Sequence, residues 1–554
     1  MRLQLLDERA SSSTTTTGGG AAAEAGEPGG PPTGARDTGV PGWPGGDPHA
    51  GVKVFADYRG GVRASCEVLV VGSGPGGAVV AKELAEAGRD VLLVEEGPPF
   101  GTKDFGQEVS QAMARMFREG GMRTARGRTY IPTMQAIALG GGSVVNSAIC
   151  ARSPGWVFDK WAERTGTEAL TGGVLDPHYQ RIEDFLGVAP TAEDVLGRRN
   201  LLFKQGCDAL GLTSSPTHRN VRGCKGSGEC FTGCRNGAKQ STDVSYVPAA
   251  IRAGARVLTS VRVEQLAVSG RRVTGVRGRT IEPFTWREAE PVSIDAQVVV
   301  LAAGCMATPL ILLRSGAGNS SGRVGRDLQC HPGLAIMAVF PERIDPWEGA
   351  TQGYHSLHFL EEGIKLEVLW SPPAVLAARF PGLGHDFQRH LRMYDRMAPF
   401  DVIVAADHSR GTVRPRRGSW DPEIRYELDP HDVERLQRGM GILSDICWAA
   451  GAESILPGLF GVPDLLSSRE EAEILKRARL DARHTVTAAN HAFGTARMSR
   501  RPADGVVDES GRCHDLDNVY VADTSIFPGS PAVNPMLTCM ALADRIACGI
   551  AARW

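Results

Sequence analysis

The first sharply apolar stretch of the chain is Val68-Leu69-Val70-Val71, entered through Glu67 and closed by Gly72. A short continuous run of that kind predicts a strand buried on both faces. A helical pattern follows over 77–87 and stops at Gly88, and Val91-Leu92-Leu93-Val94 then gives a second strand ending at Glu95. Strand, helix and strand in that order make a βαβ unit. Similar apolar runs return at 297–301 and 519–522, whereas the stretches between them are less regular and richer in charge. Within those stretches, residues 354–370 alternate in the manner of antiparallel strands. The pattern predicts an α/β chain whose Rossmann-like domain is discontinuous, with segments 52–154, 230–326 and 483–554. The intervening segments 155–229 and 327–482 are expected to form an inserted α+β domain built on an antiparallel sheet. No internal repeat of solenoid length is present.

Residues 1–51 are mostly Ser, Thr, Gly, Ala and Pro. With so little apolar surface to offset ordering entropy, this tail is expected to be disordered, at most a tether. The remainder is long enough for two or three sizeable cores. A hydrophobic fraction of 42%, a charged fraction of 22% and a formal net charge of −2 describe an ordinary soluble protein. That charge gives no reason to expect nucleic acid or an acidic membrane as partner. The most apolar run, 298–313, falls about one turn short of a membrane span and is broken by Gly304, Thr308 and Pro309. The N-terminus lacks the apolar core of a signal peptide, which makes the cytoplasm the expected location. Of the twelve cysteines, nine are scattered among apolar neighbours and are expected to be reduced and buried.

Candidate chemistry begins at the end of the first strand. Gly72-Ser73-Gly74-Pro75-Gly76-Gly77 satisfies G-x-G-x-x-G between a strand and a helix. Gly72 permits the tight turn, Gly74 lets the backbone approach a pyrophosphate, and Gly77 lets helix and strand pack closely. The phosphates would lie on the helix N-terminus, where free N–H groups and the dipole favour negative charge. Glu95, eighteen residues after Gly77, is placed to accept hydrogen bonds from ribose hydroxyls. Glu96 is the alternative acceptor. The motif alone does not separate NAD from FAD.

Four further segments bear on that question. They are Gly140-Gly141-Gly142-Ser143-Val144-Val145-Asn146-Ser147; Gly304-Cys305-Met306-Ala307-Thr308-Pro309, continuing to Ser315-Gly316; His491-Ala492-Phe493-Gly494-Thr495-Ala496-Arg497-Met498; and Val521-Ala522-Asp523 through Ser525 and Pro528 to Asn534-Pro535. Together with the glycine loop they resemble the glucose-methanol-choline (GMC) oxidoreductase family, closest to its cholesterol oxidase-like and long-chain alcohol-oxidising bacterial members. The second segment departs from the family pattern at Cys305 and Ala317. The resemblance implies FAD as cofactor, held by Gly72, Gly74, Gly76, Gly77, Glu95, Gly141, Gly142, Ser143, Asn146, Asp523 and Pro535. It also implies oxidation of a CH–OH donor to an aldehyde or ketone, with oxygen or another acceptor taking the electrons. His491 is then the base, hydride passes to flavin N5, and Asn534 orients the hydroxyl and supports the developing alkoxide. A helix starting at Pro535 with Asn534 as its cap would turn its positive end to the flavin. Some family members attach the flavin through a histidine just before the signature asparagine; Val145 stands there, so FAD is expected to be non-covalent. His331, in Cys330-His331-Pro332, is expected to be structural. The substrate expected from the resemblance is bulky or apolar, a sterol or long-chain alcohol.

The remaining three cysteines, Cys224, Cys230 and Cys234, sit in a glycine-rich loop with C-x5-C-x3-C spacing. That spacing resembles the ligands of an iron–sulfur cluster in some family dehydrogenases. A loop of reduced thiols, or one disulfide and a free thiol, is the preferred alternative, and a zinc site with His218 as fourth ligand ranks last. Two other function classes stay open: a hydroxynitrile-lyase-like enzyme that keeps FAD without net redox, and an electron-transfer subunit carrying the cluster.

Overall fold

The computed structural model describes residues 47–554 apart from 107, 371 and 378. Most of the low-complexity tail, up to residue 46, thus lies outside the described residues. The apolar runs assemble into an eight-stranded sheet. Val62–Val71 is parallel to Val91–Val94 on one side and to Glu288–Leu301 on the other. Arg256–Leu258 and then Val52–Lys53 extend the sheet beyond Val91–Val94. On its far edge Glu288–Leu301 forks. Its first half pairs antiparallel with Arg272–Ile281, itself paired with Val261–Ser269, and its last three residues pair in parallel with Val519–Val521. Val68, Leu69 and Val70 expose no surface, as expected of a strand apolar at every position. The helix Pro75–Glu86 begins two residues before the predicted start, because proline is tolerated at a first helical position whose N–H has no partner in any case. It packs on the C-terminal helix Met536–Arg553. The apolar run 298–313 proves to be two elements, a strand ending at Leu301 and the helix Gly304–Arg314, joined at Gly304 with φ +85.

A second sheet of six strands runs Ser454–Leu456, Gly333–Val339, Met397–Val404, Ile364–Val368, Tyr354–Ser356 and Ser215–Pro216 in spatial order, antiparallel throughout. The helix Pro430–Ala449 packs on it, its N-terminus capped by Asp429, whose carboxylate accepts from His431 N at 2.9 Å. All its strands come from 155–229 and 327–482, and all strands of the first sheet from the other three segments. The groups are nonetheless hydrogen-bonded together. A four-stranded sheet combines Thr124–Arg126 and Tyr130–Pro132 with Arg410–Pro415 and Pro422–Glu427, and Gln329–Cys330 pairs with Ala492–Phe493. Among the described residues no helix is long and apolar enough to cross a membrane.

Candidate active site

One cavity of about 390 Å³ is bordered by the two glycine loops and by His491 and Asn534. Gly72, Gly74 and Gly76 line it from the first loop, Gly141 and Gly142 from the second. The loops nearly touch: a Cβ at Gly141 would lie 2.8 Å from Gly74 Cα. A Cβ at Gly142 would meet nothing within 4 Å, so this side of the cradle opens onto the cavity. Two of the expected cofactor residues do not line it. Gly77 packs inside the fold, where a Cβ would fall 1.9 Å from Gly72 O. Ser143 is buried against its own loop, donating to Gly140 O (2.6 Å) and accepting from Thr242 N (3.0 Å).

The electrostatics of the cavity favour an anion. The helices starting at Pro75, Gly304 and Met536 all bring their N-termini to its wall, and each contributes a partial positive charge. Glu95 follows the strand Val91–Val94 and buttresses the first loop. Its Oε2 accepts from Ser73 N (2.9 Å) and Ser73 Oγ (2.7 Å), its Oε1 from Gly97 N (2.8 Å). Burial pushes its carboxyl up, against the pull of those hydrogen bonds. Glu96 also borders the cavity but accepts from Arg118 at 2.5 Å. Burial raises its carboxyl, and Arg118 and Arg262 more than offset this and hold it low. Asp523 accepts from Gly304 N (2.9 Å), Thr308 Oγ1 (2.6 Å) and Ser525 N (2.8 Å), fixing the start of the helix Gly304–Arg314. Asn146 accepts from Ala148 N at 3.0 Å, and Val145 lines the wall beside it. The cradle, the convergent helix ends and an acid at the end of the second strand all fit a dinucleotide. Arg118, Arg123 and Arg262 line the same cavity, and no motif in the sequence marked them.

His491, Asn534 and Pro535 line the same cavity. Asn534 does not cap the last helix as the sequence suggested; the helix runs Met536–Arg553 without a side-chain cap, and Cys539 N donates to Pro535 O. The side-chain oxygen of Asn534 instead accepts from Lys365 Nζ at 2.5 Å, and a bond to an ammonium outweighs one to a backbone N–H. Lys365 is wholly enclosed and also donates to Glu367 at 2.5 Å. With its oxygen held by Lys365, the Asn534 amide has its N–H₂ left for the cavity. Burial lowers the His491 imidazole to about 4, Glu367 raising it and Lys365 lowering it further. It is therefore neutral at pH 7 and able to accept a proton. His331, expected to be structural, does not line the cavity but stands behind His491, its Nδ1 3.3 Å from His491 Nδ1. Asp401 stands opposite Glu367 in the sheet, its carboxyl pushed well up by burial and then by Glu367.

Cys224, Cys230 and Cys234 border a separate cavity of about 10 Å³ together with Arg219 and Lys239. All three are free thiols. Arg219 donates to Cys230 Sγ at 3.1 Å. Burial pushes the Cys230 thiol up, but Arg219 and Lys239 more than offset it and bring it below the usual range. Lys239 also donates to Val144 O (2.5 Å), Asn146 O (2.9 Å) and Cys230 O (2.8 Å), tying the cysteine loop to the second glycine loop. Of the nine scattered cysteines, eight are buried as expected, and Cys548 is exposed beside Arg181 on the last helix.

The GMC oxidoreductase family model matches residues 113–333 and 407–543, and residues 67–131 match the model described as Pyridine nucleotide-disulphide oxidoreductase. An uncharacterized GMC-type oxidoreductase of Mycobacterium tuberculosis is 34% identical over 498 residues, covering 90% of this chain and 77% of its own. A long-chain-alcohol oxidase of Arabidopsis thaliana is 29% identical over 527 residues, covering 89% of this chain and 68% of its own. Among solved structures, pyridoxine 4-oxidase from Mesorbium loti superposes with a TM-score of 0.69 at 21% identity, over 88% of this chain and all of that one. The chain belongs to the GMC oxidoreductase family, and it is an FAD-dependent oxidoreductase.

Proposed function

We propose that the protein oxidises a bulky, mainly apolar alcohol, of the sterol or long-chain class, to the aldehyde or ketone. The observation that carries this reading is that His491, a neutral imidazole, and Asn534, an amide locked by Lys365, both line the cavity that the glycine loops border. The cofactor part is assigned to segments 52–154, 230–326 and 483–554, the substrate part to 155–229 and 327–482. Bound FAD supplies the two-electron acceptor. The protein's own residues manage the proton and the geometry. His491 takes the hydroxyl proton, which is far too weakly acidic to leave unaided. Asn534 donates to the substrate oxygen and stabilises the negative charge that grows on it. Glu95, Asn146 and Asp523, with Gly72, Gly74, Gly76, Gly141, Gly142 and Pro535, hold the cofactor. Val145 offers no atom for a covalent link at its position. The substrate class is supported by Met134, Phe231 and Met536 in the cavity wall and by the printed name of the Arabidopsis relative. An anaerobic absorbance screen tests the reading. Long-chain alcohols or sterols should bleach the flavin, ethanol should not, and His491→Ala should keep its FAD but bleach about 10²–10⁴-fold more slowly. Bleaching by ethanol alone would remove the substrate class, and a parental rate in His491→Ala would remove the base.

A further inference from the structure

The contact between His331 and His491 follows from strand pairing. Cys330 lies opposite Ala492, so the residues flanking that pair, His331 and His491, face each other, and His331 N donates to His491 O at 3.2 Å. Their rings stand at 89° with centroids 5.4 Å apart. The second ring nitrogen of His331, Nε2, lies 2.8 Å from Ser530 Oγ, which also accepts from Ala532 N at 3.1 Å. Ala532 has φ +62, a left-handed conformation that costs an alanine stability. The turn is therefore held by its surroundings, two residues before Asn534.

Two identical nitrogens 3.3 Å apart can share one proton only: with none, two lone pairs oppose each other, and with two, both N–H groups collide. The geometry points to His331 as a positioning residue that accepts Nδ1–H of His491 at its own Nδ1, passes its Nε2–H to Ser530 Oγ, and so holds His491 in the tautomer whose Nε2 lone pair faces the substrate hydroxyl. This rests on His491 being the base, as proposed above. The opposite direction fails during turnover. A His491 that has gained a proton carries hydrogen on both nitrogens, and an N–H of His331 would then face an N–H of His491. With His331 as acceptor the bond survives proton transfer and strengthens. Burial, then His491 and Lys365, hold the His331 imidazole well below its usual range, so its acceptor lone pair persists. A neutral histidine's tautomer is set by the bond its other nitrogen makes, and a wrong tautomer in a catalytic histidine costs orders of magnitude in rate.

Histidine-selective ¹⁵N NMR of the FAD-loaded protein, with His491 assigned from a His491→Asn spectrum, reads the tautomer directly. The parent protein should carry the His491 proton on Nδ1. In His331→Leu, which fills the space without an acceptor, the proton should move to Nε2 or spread over both nitrogens. Anaerobic flavin reduction should slow by about 10²-fold there, with apparent substrate affinity changed by less than about threefold. His331→Asn places Oδ1 near the lost Nδ1; it should keep the Nδ1–H tautomer and recover to within about tenfold of the parental rate. A parental spectrum with the proton on Nε2 overturns the inference, as does His331→Leu reducing at the parental rate. If His331→Leu fails to fold, the parental spectrum and His331→Asn still decide. If no alcohol reduces the flavin, the proposed function fails, while the spectra still judge the role of His331.

Discussion

His491 is half-buried on the cavity wall and Cys230 is buried, and both titrate below their usual range for opposite reasons. Desolvation alone disfavours the charged form, and for His491 that form is the cation, so the imidazole drops to about 4. For Cys230 desolvation acts upward, and Arg219, Lys239 and Thr351 together reverse it. The consequence for His491 is kinetic. The base proposed for the reaction is the deprotonated form, present above its pKa and lost as pH falls through it. Anaerobic flavin reduction at saturating alcohol, followed by stopped-flow pH jump, should therefore stay level from pH 8 to about 5 and fall only towards about 4; an acid limb near 6.5 would contradict the burial argument. The sequence singled out His491 and Asn534 because each sits in a distinctive string of neighbours, and both line the cavity. Lys365 and Glu367 were not. Ile364–Val368 alternates apolar and charged residues like a strand with one wet face, yet all five residues are buried. The charged face is turned to the active site instead of to bulk water, and alternation carries no signal of which. His331 was visible as a residue, but its partner lies 160 positions away and only the pairing of Cys330 with Ala492 joins them.

At the scale of elements, the βαβ unit, the strand at 519–522 and the antiparallel pair within 354–370 were legible because hydrophobic period alone fixes them. The start of the last helix was misread, because the same asparagine that suits a cap also suits an ammonium, and only the tertiary fold supplies Lys365. The glycine loops contain two kinds of glycine that a motif does not tell apart. At Gly76 a Cβ would lie 1.8 Å from Ala522 O, so the glycine lets the helix Pro75–Glu86 approach the end of Val519–Val521. At Gly142 the space is empty of protein. Gly76→Ala should destabilise the apoprotein by about 1–3 kcal/mol, the usual cost of overpacking. Gly142→Ala should unfold at the parental urea midpoint but bind FAD about tenfold more weakly or worse, a difference of about 1.4 kcal/mol. Urea melts of the apoprotein and fluorescence titrations with FAD separate the two. Equal FAD affinity in Gly142→Ala and the parent would mean that the second loop does not cradle the cofactor.

Across the whole molecule, two sheets drawn from interleaved segments were foreseen from the change of pattern along the chain, but the small sheet that joins residues 124–132 to 410–427 was not. Thr124–Arg126 and Tyr130–Pro132 have three residues each, too few for a period to register, and their partners lie far along the chain. The two sheets and the loops that leave them bury a set of ionisable groups with opposing effects on acid stability. Burial pushes the carboxyls of Asp401, Glu95 and Asp523 up, so the folded protein holds those protons more tightly and gains on acidification. Burial pushes His331 and His355 down as well as His491, with His355 reaching about 3 through desolvation and then Lys365 and His218. For these histidines the unfolded chain binds protons once pH falls below about 6.5, and the folded chain does not until its own lower pKa is reached; stability is lost in between. His355 isolates this effect, because it lies in the strand Tyr354–Ser356, outside the residues that line the active-site cavity, and its buried Nδ1 has no hydrogen-bond partner. His355→Gln removes the titrating group and keeps a polar side chain of similar reach. Between pH 7 and pH 5 the parent should lose about 2 kcal/mol relative to this variant, the free energy of protonating one histidine of ordinary pKa in the unfolded state alone. Urea unfolding of both proteins at the two pH values, with FAD in matched excess, measures the difference. Parallel losses in parent and variant would show that His355 titrates alike in both states, and that its burial does not oppose its charge.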